Sequence, residues 1–270
     1  MSLVRMNFFA ESLNMRVEVM AVLPEYPRQR ERGENYKEKF PANRKFPVLY
    51  FMNGFTGDYT DGLTMMPVER FAQDTGIAVV MPSGLNSWYE DIKGNVHMKT
   101  FMSAELPAAM EALLPVSEKA EDRFLGGISM GARGAAMISA QYYDRYRAAI
   151  CLSAPLYLPE LLLNAAGHDR ELMEQSLQLT FGGLQKEKAY DYYEITEKII
   201  MEGKKIPEML FLFGKEDPLY LSQYERFVSF ANKFSLPAVC EAWEGGRHDF
   251  EFWEPAMKKA MEWLKQKTAE

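Results

Sequence analysis

The 270-residue sequence predicts an α/β fold with a mostly parallel central sheet and helices on both faces. Three observations lead there. Short runs rich in β-branched and other apolar residues recur along the chain. Longer segments with helical periodicity separate most of them. A glycine-rich turn in the middle of the sequence passes directly from an apolar run into a segment of small residues, as a strand-to-helix junction does.

In chain order, the first strand is read over residues 15–23 (MRVEVMAVL). It leads through the polar segment 25–45, read as a solvated hairpin loop, into a second strand at 46–52 (FPVLYFM) without a clear crossover helix. The N-terminal piece is therefore expected to be antiparallel. A helix over 66–75 precedes a strand at 77–81 (IAVVM), and a helix over 104–115 precedes a strand at 123–127. A helix at 131–143, a strand at 148–153, a strand at 209–213 (MLFLF) and helices at 221–234 and 255–267 complete the pattern. Residues 157–203 are rich in Leu, Glu and Lys and poor in strand signals, and they are read as a helical insertion over one end of the sheet. No internal repeat or low-complexity tract breaks the chain. One domain spanning 1–270 is expected, since 47% hydrophobic and 13% aromatic residues can fill one large core.

Charge and composition narrow the function. The net charge of −7 argues against a nucleic-acid backbone or an anionic membrane surface as partner, because both need a concentrated positive field. The one modest basic cluster lies around Arg28, Arg30 and Arg32. Cys151 and Cys240 each sit in an apolar run, so no disulfide framework or zinc site is expected. No stretch is long and apolar enough for a membrane span, and the first residues lack a signal peptide's apolar core; a cytoplasmic location is the expectation. A homo-oligomer is left open.

The sharpest signal is Leu125-Gly-Gly-Ile-Ser129-Met-Gly-Ala-Arg-Gly134. Gly127-x-Ser129-x-Gly131 has the spacing of a nucleophile elbow, where a serine hydroxyl stands exposed on a sharp strand-to-helix turn. The pattern is weak alone, but its position between an apolar strand and a small-residue helix is where the chemistry requires it. A nucleophilic serine needs a base. His248, in the glycine-rich loop EGGRHDF ahead of the last helix, is preferred over His97 and His168, which read as ordinary surface histidines. Asp217 follows the MLFLF strand within GKEDP and suits the acid that orients the imidazole; a turn-forming aspartate before proline is the plainer reading of those residues, and Glu216 is adjacent. The order Ser129, Asp217, His248 is that of α/β-hydrolases. Such chemistry also needs two N–H donors where negative charge develops, and the backbone amides of Met130 and of Phe55, in the NGFTG loop, are the candidates. Gly54 in that loop, Trp88 and Tyr89 in PSGLNSWYED, and Arg133 after the elbow are candidate substrate contacts, with simple loop packing the alternative for the aromatic pair.

Taken together, VLYFMNGFTGDYTDG, GIAVVMPSGLNSWYED, LGGISMGARGAA, FGKEDPLY and GGRHDFEFWEPAMKKAMEWL resemble the tributyrin-esterase branch of the esterase D family, itself similar to acetyl and feruloyl esterases of plant carbohydrates. The resemblance covers about residues 16–264. It implies a cofactor-free α/β-hydrolase acting on a small-molecule ester, with Ser129, Asp217 and His248 in the triad positions. Two departures stand out: the family usually has His-Gly where this chain has Asn53-Gly54, and Gly-Gly where it has Ala132-Arg133. The expected activity is hydrolysis of acetyl to butyryl esters through an acyl-enzyme, on a carbohydrate acetate or feruloyl ester. The alternatives are an S-formylglutathione-type thioester hydrolase and an inactive binding protein on the same fold.

Overall fold

The computed structural model describes residues 1–25, 43–163, 167–182 and 191–268. The basic cluster at Arg28, Arg30 and Arg32 and most of the expected 25–45 hairpin loop lie outside the described residues. Among those described, eight strands form one sheet: β1 (Ser2–Ala10), β2 (Met15–Leu23), β3 (Val48–Met52), β4 (Ala78–Pro82), β5 (Arg123–Ile128), β6 (Ala148–Leu152), β7 (Glu208–Gly214) and β8 (Ala238–Trp243), in the order β1-β2-β4-β3-β5-β6-β7-β8. From β4 to β8 neighbouring strands are parallel, whereas β2 is antiparallel to both β1 and β4. The α/β class and the antiparallel direction of the N-terminal piece are as the sequence predicts, but the expected hairpin is not: β2 pairs with β1 and β4, and β4 lies between it and β3. The two edge strands, β1 and β8, were not predicted. Both lack the continuous burial that makes an inner strand legible: β8 has no fully buried residue, and β1 has one, Ala10.

Strands β3, β4 and β6 are buried throughout and β5 and β7 at all but their first residue, as a sheet covered on both faces requires. Alternate side chains feed two cores. Tyr50, Met52, Val80, Leu125, Cys151, Phe211 and Phe213 pack toward α2 (Leu106–Leu113), α3 (Met130–Gln141) and α6 (Arg226–Phe234). Leu49, Phe51, Val79, Phe124, Ile150, Leu210 and Leu212 pack toward α1 (Val68–Thr75) and α7 (Phe250–Lys267). The alanines of α3 (Ala132, Ala135, Ala136, Ala140) are all fully buried, which lets the helix lie close against the sheet.

The last helix differs from its sequence reading in a way that bears on the site. The sequence places Pro255 as its first residue, but α7 starts five residues earlier, where the Asp249 carboxylate accepts a hydrogen bond from Phe252 N at 3.1 Å. The cap of the helix thus follows directly after His248. Between β6 and β7 the described chain forms a short 3₁₀ segment (Leu158–Leu163), α4 (Gly167–Phe181) and α5 (Tyr192–Met201). Helix α4 meets the loop after β4: Trp88 Nε1 donates to Ser176 Oγ at 2.9 Å, and Ser176 Oγ donates to the Asn86 carbonyl at 2.8 Å.

Both cysteines are free. Burial pushes the Cys151 thiol far above its usual range and the Cys240 thiol up to about 11. The thiolate is the reactive form, so near pH 8 native Cys240 should react with Ellman's reagent on the order of 100-fold more slowly than an unperturbed thiol. Two rapid equivalents are expected only after denaturation; a fast equivalent in the native protein would contradict the packing.

Candidate active site

The sequence of the elbow dictates its geometry. Ser129, which accommodates the reversal from β5 into α3, has φ 50° and ψ −117°, a conformation costly for a residue with a side chain. Its flanking glycines are required by close approach: a Cβ on Gly131 would lie 2.2 Å from the Met52 carbonyl oxygen, and one on Gly127 would lie 2.6 Å from the same oxygen. Backbone occupies those positions, so no rotamer change could make room. The strand end of β3 and the elbow are therefore pressed together, and the loop leaving β3 passes beside Ser129.

A second close approach positions the other two candidates. A Cβ on Gly214 would lie 2.2 Å from the Gly246 carbonyl, so the loops after β7 and β8 cross at a pair of glycines. Glu216 N donates to the Gly246 carbonyl at 2.9 Å, and Lys215 N to the Trp243 carbonyl at 2.9 Å. This crossing sets the register of the acid. Glu216 points outward to Arg247 Nε at 3.4 Å, whereas Asp217 is 3% exposed and its Oδ2 lies 2.7 Å from His248 Nδ1. Asp217 Oδ1 accepts from Leu219 N at 2.9 Å, so both carboxylate oxygens are engaged. His248 Nε2 lies 2.9 Å from Ser129 Oγ. The chain Asp217–His248–Ser129 is thus continuous within hydrogen-bonding distance. His97 and His168 are exposed; the former lies in the loop bridged to Asp91, the latter beside Glu171.

A support for the imidazole was not anticipated. Trp253, one turn into α7, meets the His248 ring edge-on at 5.0 Å between centroids, and its Nε1 donates to Ser153 Oγ at 3.1 Å. The sequence reading starts the helix at Pro255 and leaves FEFWE ahead of it, which hides this side chain's direction. Because the helix begins at Phe250, Trp253 falls on its buried side.

The two candidate oxyanion donors flank the serine. Met130 N is the first amide of α3, where no intrahelical acceptor exists. Phe55 N lies in the loop after β3, and among the described residues neither amide is bonded to a protein acceptor. That loop is held by Asn53, which stands where the resembled family carries histidine. Its Nδ2 donates to the Gly54 and Gly57 carbonyls, both at 2.8 Å, and its Oδ1 accepts from Gly84 N at 2.8 Å and Tyr89 OH at 3.0 Å. Only a side chain with two N–H donors and an acceptor carbonyl fills all four bonds.

The four residues expected to contact substrate fall into two groups. Gly54 lies against the elbow: a Cβ there would stand 3.6 Å from the Ser129 Cβ. Trp88 is 1% exposed and stacks on Phe55 at 5.8 Å between centroids. Trp88, Tyr89 and Arg133 require correction, since all three are at most 1% exposed and present no surface through which to touch a ligand. Tyr89 is 1% exposed, and burial raises its phenol well above its ordinary range, leaving a neutral donor to Asn53. Arg133 is fully buried: Nη1 lies 3.2 Å from the Trp88 carbonyl and 3.3 Å from Glu90 Oε1, and the guanidinium stands 5.2 Å from the Phe181 ring centroid. Glu90 is 1% exposed and also meets Lys99 Nζ at 3.1 Å. Burial alone would lower the Lys99 pKa, but Glu90 reverses that and holds it above its usual value. In the same loop Leu85, Asn86, Trp88 and Tyr89 all have positive φ, each at a cost of about 1 kcal/mol or more, so its shape is imposed by these contacts.

A groove of about 390 Å³ opens beside the Phe55 loop, lined by Phe55, Thr56, Leu85, Asn86 and side chains of α4. Among the described residues that line it, none is ionisable. Among the described residues no cluster of three or more His, Cys, Asp or Glu side chains could hold a metal ion, and no helix is long and apolar enough to cross a membrane.

An acetyl esterase of Caldicellulosiruptor saccharolyticus is 25% identical over 272 residues, covering 98% of each chain. Two solved structures from Staphylococcus aureus share the fold, each with a TM-score of 0.83, 24% identity and 98% coverage of both chains. One is the fluorophosphonate-binding serine hydrolase F, and the other an S-formylglutathione hydrolase. The model of the family described as putative esterase matches residues 10–264, from the end of β1 through β8 and most of α7, and the chain belongs to that esterase family.

Proposed function

We propose that this chain hydrolyses carboxylic esters through an acyl-enzyme formed on Ser129. The observation that carries the reading is the hydrogen-bonded chain from Asp217 through His248 to Ser129 on a strained elbow. His248 takes the proton from Ser129 Oγ as the oxygen attacks the ester carbonyl, and the Met130 and Phe55 amides receive the oxyanion. His248 next protonates the leaving alcohol, then activates the water that releases the acid and restores the serine. Asp217 fixes the imidazole tautomer and stabilises its charged form; Trp253 and Gly54 keep the surroundings of the reacting groups compact.

The finer reading is a short-chain esterase of the tributyrin-esterase kind, taking acetyl to butyryl groups from a neutral alcohol such as a sugar. Buried Met130 and the Phe55–Trp88 stack leave little room next to the oxyanion position. Each added methylene gains about 0.8 kcal/mol when buried, whereas overfilling a packed pocket costs about 1–3 kcal/mol. The groove beside Phe55 offers amides, hydroxyls and apolar side chains but no charge, which suits a neutral leaving group better than the charged tripeptide of a glutathione thioester.

Three measurements test these assignments. A fluorophosphonate probe should add at Ser129, and Ser129→Ala should abolish labelling and ester turnover without loss of fold; an adduct mapped to another serine would refute the nucleophile. Asp217→Asn should lower kcat by about 10⁴-fold while Glu216→Gln changes it little, and the reverse pattern would overturn the acid's assignment. On p-nitrophenyl esters kcat/KM should peak between acetate and butyrate and exceed turnover of a formyl glutathione thioester. A continued rise through octanoate to laurate, or preference for the thioester, would reject the short-chain ester reading.

A further inference from the structure

The Phe55 amide is useful to the proposed chemistry only if it stays where the oxyanion forms, yet the loop that carries it is held from outside. Three of its ties run to the loop at residues 82–91: the Trp88 ring against the Phe55 ring, Asn86 Oδ1 accepting from Thr56 N at 2.7 Å, and Tyr89 OH donating to Asn53. That second loop has four non-glycine residues at positive φ and would relax if released. What holds it at its far end is an ion pair. Arg133, on the first turn of α3, reaches the Trp88 carbonyl and the Glu90 carboxylate, and both charged side chains are at most 1% exposed.

We infer that Arg133 and Glu90 form a buried positioning pair, which fixes the 82–91 loop to the elbow helix and so holds the oxyanion amide of Phe55 in register with Ser129. The inference rests on the esterase reading above. Its physical basis is that one helix turn anchors both halves of the site. Ser129 is the N-cap of α3 and Met130 its first residue; Arg133 N donates to the Ser129 carbonyl at 3.1 Å, and its guanidinium holds the loop that stacks on Phe55. A movement of the 82–91 loop relative to α3 would therefore separate the two oxyanion donors. A buried pair of charges contributes little net stability and is costly to break one-sidedly. Its use here is geometric: one guanidinium nitrogen, Nη1, engages a carbonyl and a carboxylate of one loop at once. Lys99 supplies a second cation to Glu90, so the carboxylate keeps a partner when Arg133 is replaced.

The test compares Arg133→Met, Arg133→Lys and Glu90→Gln with the parent enzyme on a p-nitrophenyl acetate assay. Removing an oxyanion donor outright costs about 10²–10³-fold in kcat, so a misplaced one should cost about 10–100-fold. In folded Arg133→Met we expect that loss in kcat with KM changed less than about threefold, and a parallel loss of affinity for a trifluoromethyl ketone, which binds as a tetrahedral adduct. Arg133→Lys should recover part of kcat. If Arg133→Met does not fold, the near-isosteric Glu90→Gln provides the same comparison. A lowered melting temperature with unchanged kcat in the folded variants would overturn the inference, as would a change confined to KM. Labelling of the parent enzyme at Ser129 is the separate control: its failure would remove the esterase reading itself, whatever the Arg133 variants do.

Discussion

The architecture at the C-terminal edge of the sheet depends on one close contact, the approach of the β3 strand end to the first turn of α3. The Met52 carbonyl sits where a Cβ of Gly127 or Gly131 would be. Because that contact leaves no space, the chain reverses within one residue, and Ser129 takes the strained backbone that presents its hydroxyl. The same contact brings the Asn53–Gly57 loop alongside the serine. A candidate nucleophile and a candidate oxyanion donor thus become neighbours through sterics, before any polar interaction is considered.

Polar interactions then refine what sterics brings together, and they follow the burial. On one side, the Gly214–Gly246 crossing lets two loops exchange backbone hydrogen bonds, and this places Asp217 inside and Glu216 outside. On the other side, Asn53 spends its side-chain amide on four partners and joins the first loop to the second. These are different solutions to one requirement. Loops at a sheet's end carry backbone groups that the sheet cannot satisfy, and a buried polar group must find a partner.

Much of this was legible in the residues. The inner strands could be read because they are continuously apolar, and the elbow because strand, serine and small-residue helix follow one another without a gap. Asp217 could be placed because it closely follows the apolar MLFLF strand, and His248 because it lies in a glycine-rich loop ahead of the last helix. Edge strands β1 and β8 escaped notice because an edge strand is only partly covered and its composition resembles a loop's. The start of α7 was misplaced because proline favours a helix's first turn and Pro255 seemed to mark it, whereas Asp249 caps the helix ahead of it.

What the sequence determined by itself was the class of fold and the identity of the candidate nucleophile, base and acid, since these depend on local periodicity and on order along the chain. What only the tertiary structure decided was the direction of individual side chains between segments far apart in sequence. Arg133 and Tyr89, read as ligand contacts because they adjoin the elbow and an aromatic loop, turn inward instead. Arg133 meets Glu90, 43 residues away, and Tyr89 meets Asn53, 36 residues away. A buried charge or hydroxyl takes the partner that the packing of helices on the sheet brings within reach, and no local pattern records which partner that will be.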